Sequence, residues 1–475
     1  MDKPWFKFYD EGVPTSIDYP QIPLDHFLRD SAAKHPNHTA TIFGAAVGSR
    51  LMDASMTFRE LDEAVNRFAA SLQAMGVKKG DRVAIMLPNC PQFIITAYAT
   101  WRIGGIVVCC NPLYVDREIE HLLNDSGTDL IVVLSSFYER VKNVRSNTGL
   151  KRVIVTNIKE YFPGLLKFLF SLTKEKKEGH RVDISGDAET YWLQDLLQGA
   201  GDRPESVEID PQEIATLIYT GGTTGTPKGT QLTHFNLVSN AIALNSIAHS
   251  KEAEDVMIAV MPYFHAYGLT VGMNTCIANS VTTVLIPNPR DMVHVLKSIE
   301  THRATFYPGV PTMFIGFNNF PDQDKYDLSS LRFAVSAAAP LPPEVQQRFQ
   351  EITGGKMVEA YGLTETGPAA TMDPLGHPKD NSVGVPLPDT DVKIVDADIG
   401  EEELATGEIG EIIIKGPQVM KGYYKMPTET ANALRAGPDG QGGWFYSGDI
   451  GFIDEDGYVH IVDRKKDMII VSGYN

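Results

Sequence analysis

A chain of 475 residues with 43% hydrophobic content can bury several apolar cores, so the composition predicts two or more domains or subdomains. Its formal net charge of −18 supplies no basic stripe for a phosphate backbone, which argues against nucleic acid as a partner. Four cysteines, Cys90, Cys109, Cys110 and Cys276, are too few for a disulfide framework and have no zinc-like spacing, so a reducing cytoplasm is the default setting.

The first residues, Met1-Asp2-Lys3-Pro4-Trp5, lack the basic start and apolar core of a signal peptide, and no apolar run approaches the roughly 20 residues that span a bilayer. Short β-branched runs at 83–86, 106–108, 130–134 and 153–156 read as buried strands, with amphipathic helical stretches at 58–75 and 116–125 between them. That alternation predicts parallel α/β units. Next comes Tyr161-Phe162-Pro163-Gly164-Leu165-Leu166-Lys167-Phe168-Leu169-Phe170-Ser171-Leu172, with Lys174, Lys176 and Lys177 behind it. Two readings stay open for residues 161–177: a helix covering an apolar neighbour, or a peripheral contact with a lipid surface.

A second series of strands at 215–219, 257–261, 282–286 and 333–336 predicts a second wound sheet. After about residue 386 the strands shorten, at 392–395, 411–414 and 458–462, and Gly-rich or acidic loops such as 437–443 separate them. This texture predicts a smaller β-rich subdomain. No internal repeat is visible. The final run, Met468-Ile469-Ile470-Val471-Ser472-Gly473-Tyr474-Asn475, opens a new strand, and the expectation is that the natural chain continues beyond it.

The densest chemical signal is Tyr219-Thr220-Gly221-Gly222-Thr223-Thr224-Gly225-Thr226-Pro227-Lys228-Gly229, directly after an apolar strand and ahead of the helical pattern from Asn236. Glycines let backbone amides approach an anion, threonine hydroxyls add donors and Lys228 adds charge, which together suit a polyphosphate. It is not a Walker A loop, because the glycine spacing before Lys228 is wrong and Gly229 stands where that loop has a metal-binding hydroxyl.

Further along, Glu359-Ala360-Tyr361-Gly362-Leu363-Thr364-Glu365 joins a strand-like start to a turn with an aromatic, a hydroxyl and a carboxylate. Tyr361 has the face to stack on a base, and Thr364 with Glu365 suits Mg²⁺ against phosphate oxygens. In Ser447-Gly448-Asp449 a turn presents a carboxylate that suits ribose hydroxyls. Tyr263-Phe264-His265-Ala266-Tyr267-Gly268 is an aromatic cluster with one histidine and no acid; alone, His265 reads better as a satisfied structural histidine than as a functional one.

Taken together, and in this order along the chain, the glycine/threonine loop, the segment 361–365, the Ser447-Gly448-Asp449 turn and Asp463-Arg464-Lys465-Lys466 resemble the adenylate-forming superfamily of acyl-CoA synthetases, adenylation domains and luciferases. The resemblance runs from about Asp25 to the last residue and is greatest to the long-chain fatty-acid ligase branch. It implies an α/β fold with a large N-terminal domain over residues 1–463 and only the start of a small α+β domain over 464–475. It also implies that Thr220, Gly221, Gly222, Thr223, Thr224, Gly225, Thr226 and Lys228 wrap the phosphates of ATP, with Mg²⁺ held by Glu365 and Thr223. Glu359, Tyr361, Gly362 and Thr364 with the turn Ala338-Ala339-Pro340 would enclose adenine, while Asp449 and Arg464 hold the ribose. His265, Gly272, Gly309 and Val310 would border the acyl path, Gly473 the coenzyme A path, and Lys466 would be a hinge.

The reaction so implied is attack of a fatty carboxylate on the α-phosphorus, followed by attack of the coenzyme A thiol on the acyl-adenylate, with Lys228, Thr364, Glu365 and His265 as the catalytic set. The family's second domain supplies a lysine for the first step, and since the sequence ends at Asn475 before that motif, slow adenylation is expected of these residues alone. Absence of an acid near His265 favours an uncharged tail over an amino acid, because a buried ammonium needs a partner. Met273, Tyr307, Pro311 and Thr312 are further candidates for the tail's lining. Ala337 and Ala338 stand where many fatty-acid ligases carry glycines, which keeps medium-chain and aryl acids, or a carrier-protein acceptor, in view. A chain that binds nucleotide without turnover, and a homodimer, stay open as well.

Overall fold

The computed structural model describes residues 3–48, 50–199, 201–220, 227–398 and 400–464. Two large sheets carry parallel centres, as the alternating pattern predicts. The first orders its eight strands as Gly422–Tyr423, Lys228–Thr233, Ile214–Thr220, Ile106–Cys109, Arg82–Met86, Leu130–Leu134, Arg152–Thr156 and Thr190–Trp192. Runs such as Leu-Ile-Val-Val-Leu at 130–134 are buried along their whole length because helices cover both faces of a parallel sheet.

The second sheet has nine strands, in the order Val385–Pro386, Ala369–Met372, Lys356–Gly362, Phe333–Ser336, Phe306–Gly309, Val256–Ala259, Thr282–Leu285, Thr39–Val47 and Arg50–Thr57. Its centre is parallel and both margins are antiparallel. A third sheet, antiparallel throughout, joins Asp391–Val395, Gly410–Lys415, Trp444–Ile453 and Leu434–Arg435, with Val459–Arg464 also on Trp444–Ile453. This is the β-rich part expected after about residue 386.

Two local outcomes position the site. The loop after Ile214–Thr220 does not lead straight into a helix; the strand Lys228–Thr233 intervenes and pairs back on Ile214–Thr220, with Thr220 opposite Lys228. Only then does the helix His234–Ile247 begin, capped by Thr233 and Asn236 in a reciprocal box. Thr220 and Lys228 are therefore the two posts of a hairpin. Second, Gly268–Asn274 forms a wide π-helical turn, fully buried, whose Thr270 hydroxyl donates to the Gly367 carbonyl at 2.7 Å; such turns often mark functional sites.

All four cysteines are free and buried. Among the described residues no helix is long and apolar enough to cross a membrane.

Candidate active site

A cavity of about 600 Å³ opens where the three sheets meet, within the ordinary range for a small-molecule site. Its polar part is bordered by Thr220, Lys228, His265, Tyr361, Thr364 and Glu365, six of the residues singled out from sequence. Gly362 and Ala338 line it as well.

Several of these polar groups are held by identifiable partners. The Glu365 Oε1 accepts from the Tyr423 hydroxyl at 2.7 Å, and no donor among the described residues reaches its second oxygen. Lys228 Nζ lies 2.5 Å from Glu429 Oε2 and 4.9 Å above the Tyr423 ring. Tyr361 donates to Asp449 Oδ2 at 2.7 Å, so the aromatic from the second sheet and the acid from the third form one buried unit. Asp449 is itself set by the turn before it, where its amide donates to Ser447 Oγ at 3.0 Å and Gly448 takes a left-handed φ of 72°. A Cβ at Gly362 would meet the Pro368 carbonyl oxygen at 1.8 Å, which is why the strand carrying Tyr361 ends in glycine.

His265 lines the cavity, exposed toward its open space and packed by protein on its other sides. That enclosure pushes its pKa below the usual imidazole value. Its Nδ1 accepts from the Tyr267 amide at 3.2 Å, which leaves Nε2 as the nitrogen that bears the proton.

Glu359 stands just outside the cavity wall. Its carboxylate accepts from the Leu341 amide at 3.3 Å and so braces the turn at 337–341 against the strand Lys356–Gly362. Burial lifts the Glu359 carboxyl to about 7 and its neighbour Asp373 to about 8. Ala339 and Pro340 follow in the same exposed turn, and Ala338 sits at a left-handed φ of 69°.

The other end of the cavity is apolar: Leu244, Val271, Met257, Val281, Phe306 and Phe333 contribute, the last two rings stacked at 4.4 Å. Asp255 is the one carboxylate there, and Arg332 Nη2 engages both its oxygens at 2.9 and 2.7 Å. It is thus already neutralised.

Gly272 backs onto the Tyr263 ring and accepts that tyrosine's hydroxyl at 3.2 Å, Gly309 abuts Phe314, and Val310 packs in the cluster containing Tyr267 and Val335 behind the wall. Met273 and Tyr307 lie in the buried cores. The apolar lining instead comes from residues that look like ordinary core in sequence, and Tyr423 and Glu429 carry no local motif that marks them.

Arg464 pairs in register with Asp449 through the backbone, although its side chain falls outside what is described. Gly221, Gly222, Thr223, Thr224, Gly225, Thr226, Lys466 and Gly473 also lie outside the described residues.

Two parallel-centred α/β sheets and an antiparallel third sheet around one polar-to-apolar cavity define the adenylate-forming architecture. A profile of the AMP-binding enzyme family matches residues 28–424. The long-chain-fatty-acid–CoA ligase of Bacillus subtilis is 40% identical over 476 residues, spanning 100% of this chain and 82% of its own. That of Escherichia coli O157:H7 is 35% identical over 487 residues, spanning 100% and 83%. Among solved structures, a long-chain-fatty-acid-CoA ligase from Archaeoglobus fulgidus superposes with a TM-score of 0.82 at 30% identity, covering 96% of this chain and 86% of that one. This chain belongs to the AMP-binding enzyme family.

Proposed function

We propose that this chain activates a long-chain fatty acid with ATP, giving an acyl-adenylate and pyrophosphate, and then passes the acyl group to coenzyme A with release of AMP. The observation that carries the reading is continuity: the polar mouth at Lys228, Thr364 and Glu365 and the apolar end at Met257, Val281 and Phe306 belong to one cavity. A neutral hydrocarbon tail suits that end, since the one carboxylate found there among the described residues is already engaged by Arg332.

In the first step a carboxylate oxygen attacks the α-phosphorus and pyrophosphate leaves; in the second the thiol sulfur attacks the acyl carbon and AMP leaves. Neither needs a protein nucleophile, so alignment and charge stabilisation carry the rate. Lys228 draws the phosphates, Thr364 donates its hydroxyl, and Tyr361 with Asp449 positions adenosine. His265, kept neutral by its enclosure, offers Nε2–H to the substrate carboxylate.

Mg²⁺ takes one or two protein carboxylates and fills its remaining positions with water and phosphate oxygens. Glu365, buried beside Thr364 with one oxygen that receives no donor among the described residues, fits that need, and Thr223 is the second ligand we assign. Bound there, the ion neutralises charge on the phosphate oxygens.

We assign residues 1–463 to the large domain, and Arg464, Lys466 and Gly473 to the ribose contact, the hinge and the coenzyme A path. We assign the activity to the cytoplasm.

Two methyl groups at the wall, on Ala337 and Ala338, favour one competing reading, a medium-chain or aryl acid. The test is a panel of palmitate, oleate, octanoate and benzoate with ATP and coenzyme A, monitored by acyl-CoA formation. Highest kcat/KM for palmitate or oleate supports the proposal. Preference for octanoate or benzoate selects the competitor, and nucleotide binding without any acyl-CoA rejects both.

A further inference from the structure

The helix Gly164–Thr173 has an outward face that its own fold leaves uncovered. Leu165, Phe168 and Leu172 recur at i, i+3 and i+7 and are 63%, 60% and 67% exposed. A surface helix ordinarily turns polar residues to that side. The inward face is well anchored: Leu166 and Phe170 are buried, Phe170 meets Phe162 edge-on at 5.7 Å, and Phe162 stacks on Phe43 at 5.3 Å. The exposed stripe therefore belongs to a firmly seated helix.

Charge around the helix is opposite in sign to the rest of the chain. Residues 159–181 contain six cations (Lys159, Lys167, Lys174, Lys176, Lys177, Arg181) and three anions (Glu160, Glu175, Glu178), a local balance of +3 in a chain of −18. The three anions are spent locally, Glu175 on Lys159 at 2.5 Å, Glu160 on Lys167 at 2.6 Å and Glu178 on Lys174 at 3.7 Å. Lys176 and Lys177 are exposed and have no acidic partner among the described residues.

An apolar stripe with lysines at one end is the arrangement that inserts side chains to the headgroup–acyl boundary while the ammonium groups meet lipid phosphates. We propose that this helix docks the chain on an anionic lipid bilayer. The inference adds a partner to the proposed reaction, whose acyl substrate partitions into bilayers, but its test reads lipid binding and not turnover, so either can fail alone.

The full chain is floated with vesicles of phosphatidylcholine, with and without one third phosphatidylglycerol. Co-flotation with the anionic vesicles is expected, at least tenfold weaker for L165S/F168S/L172S. K174Q/K176Q/K177Q should lose roughly fivefold per lysine that touches the surface, together with the salt dependence. Mg-ATP titration should be unchanged in both variants. A gentler substitution, F168W, should show a blue-shifted emission increment on anionic vesicles only. Absence of wild-type flotation, equal flotation of the serine variant, indifference to the lysines, an unshifted emission from F168W, or sedimentation showing that the serine variant merely loses a dimer would each overturn the proposal.

Discussion

Lys228 Nζ lies 2.5 Å from Glu429 Oε2, and the same ammonium hangs 4.9 Å above the ring of Tyr423, whose hydroxyl binds Glu365. The cation assigned to phosphate and the carboxylate assigned to metal are thus both held by one short segment, 423–429. A triphosphate reaching Lys228 displaces Glu429 or shares the cation with it. Both partners are partly exposed, which keeps the pair's worth to about 0–1 kcal/mol. E429Q should therefore lower the KM for ATP by roughly two- to fivefold. Steady-state kinetics at varied ATP checks this, and a raised KM would show that Glu429 orients the lysine instead of competing for it.

The Tyr361–Asp449 hydrogen bond couples two sheets at the nucleotide end. D449A should weaken AMP binding by about 1–3 kcal/mol, because it strips the ribose acceptor and the acceptor of the Tyr361 hydroxyl together. Y361F removes only the hydroxyl and keeps the ring, so a loss of about 1 kcal/mol is expected. Calorimetric titration of both variants with AMP separates the two roles; equal losses would mean that the hydroxyl, not the acid, serves the nucleotide.

Ala338 occupies a left-handed conformation that costs a non-glycine residue about 1–2 kcal/mol. Glycine relieves that strain but raises the entropy of the unfolded chain, offsetting about half of it. A338G should stabilise the chain by about 0–1 kcal/mol in urea unfolding. It also removes one methyl from the cavity wall, so kcat/KM for bulkier acids should rise in the same protein.

Glu359 and Asp373 titrate far above the ordinary carboxylate range because burial disfavours their charged forms. Between about pH 3.8 and pH 8 the folded chain holds protons that the unfolded chain has released, so these two groups make stability fall as pH rises across that window. Below it both states are protonated and the contribution is flat. E359Q should lessen the slope of the urea midpoint against pH between about 4.5 and 7, and D373N should lessen it across the whole window up to about 8.

Much of the fold is legible in sequence where burial is two-sided. Residues 130–134 and 333–336 are continuous apolar runs, and both are strands with those bounds. Lys228–Thr233 is harder, because Gly229 and Gln231 interrupt any apolar pattern and its partner strand supplies the order. The polar half of the site is legible because glycines, hydroxyls and acids cluster locally around residues 220, 361 and 449. The apolar half is not: Leu244, Val271 and Phe306 differ from core residues only by facing an unfilled space, which depends on helices and strands far apart in the chain. Tyr423 and Glu429 reach the site by tertiary approach, and nothing within their own segment indicates it.

In the proposed reaction a single cavity serves both nucleotide and acyl chain. A crystal structure with palmitoyl-sulfamoyl-adenosine, a stable mimic of the acyl-adenylate, tests this most directly. Adenosine is predicted at Tyr361 and Asp449, the sulfamate beside Lys228 and Thr364, and the acyl chain running between Val271 and Phe306 toward Met257. An adenosine bound away from Tyr361, or an acyl chain that leaves the apolar end empty and exits to solvent, would contradict it.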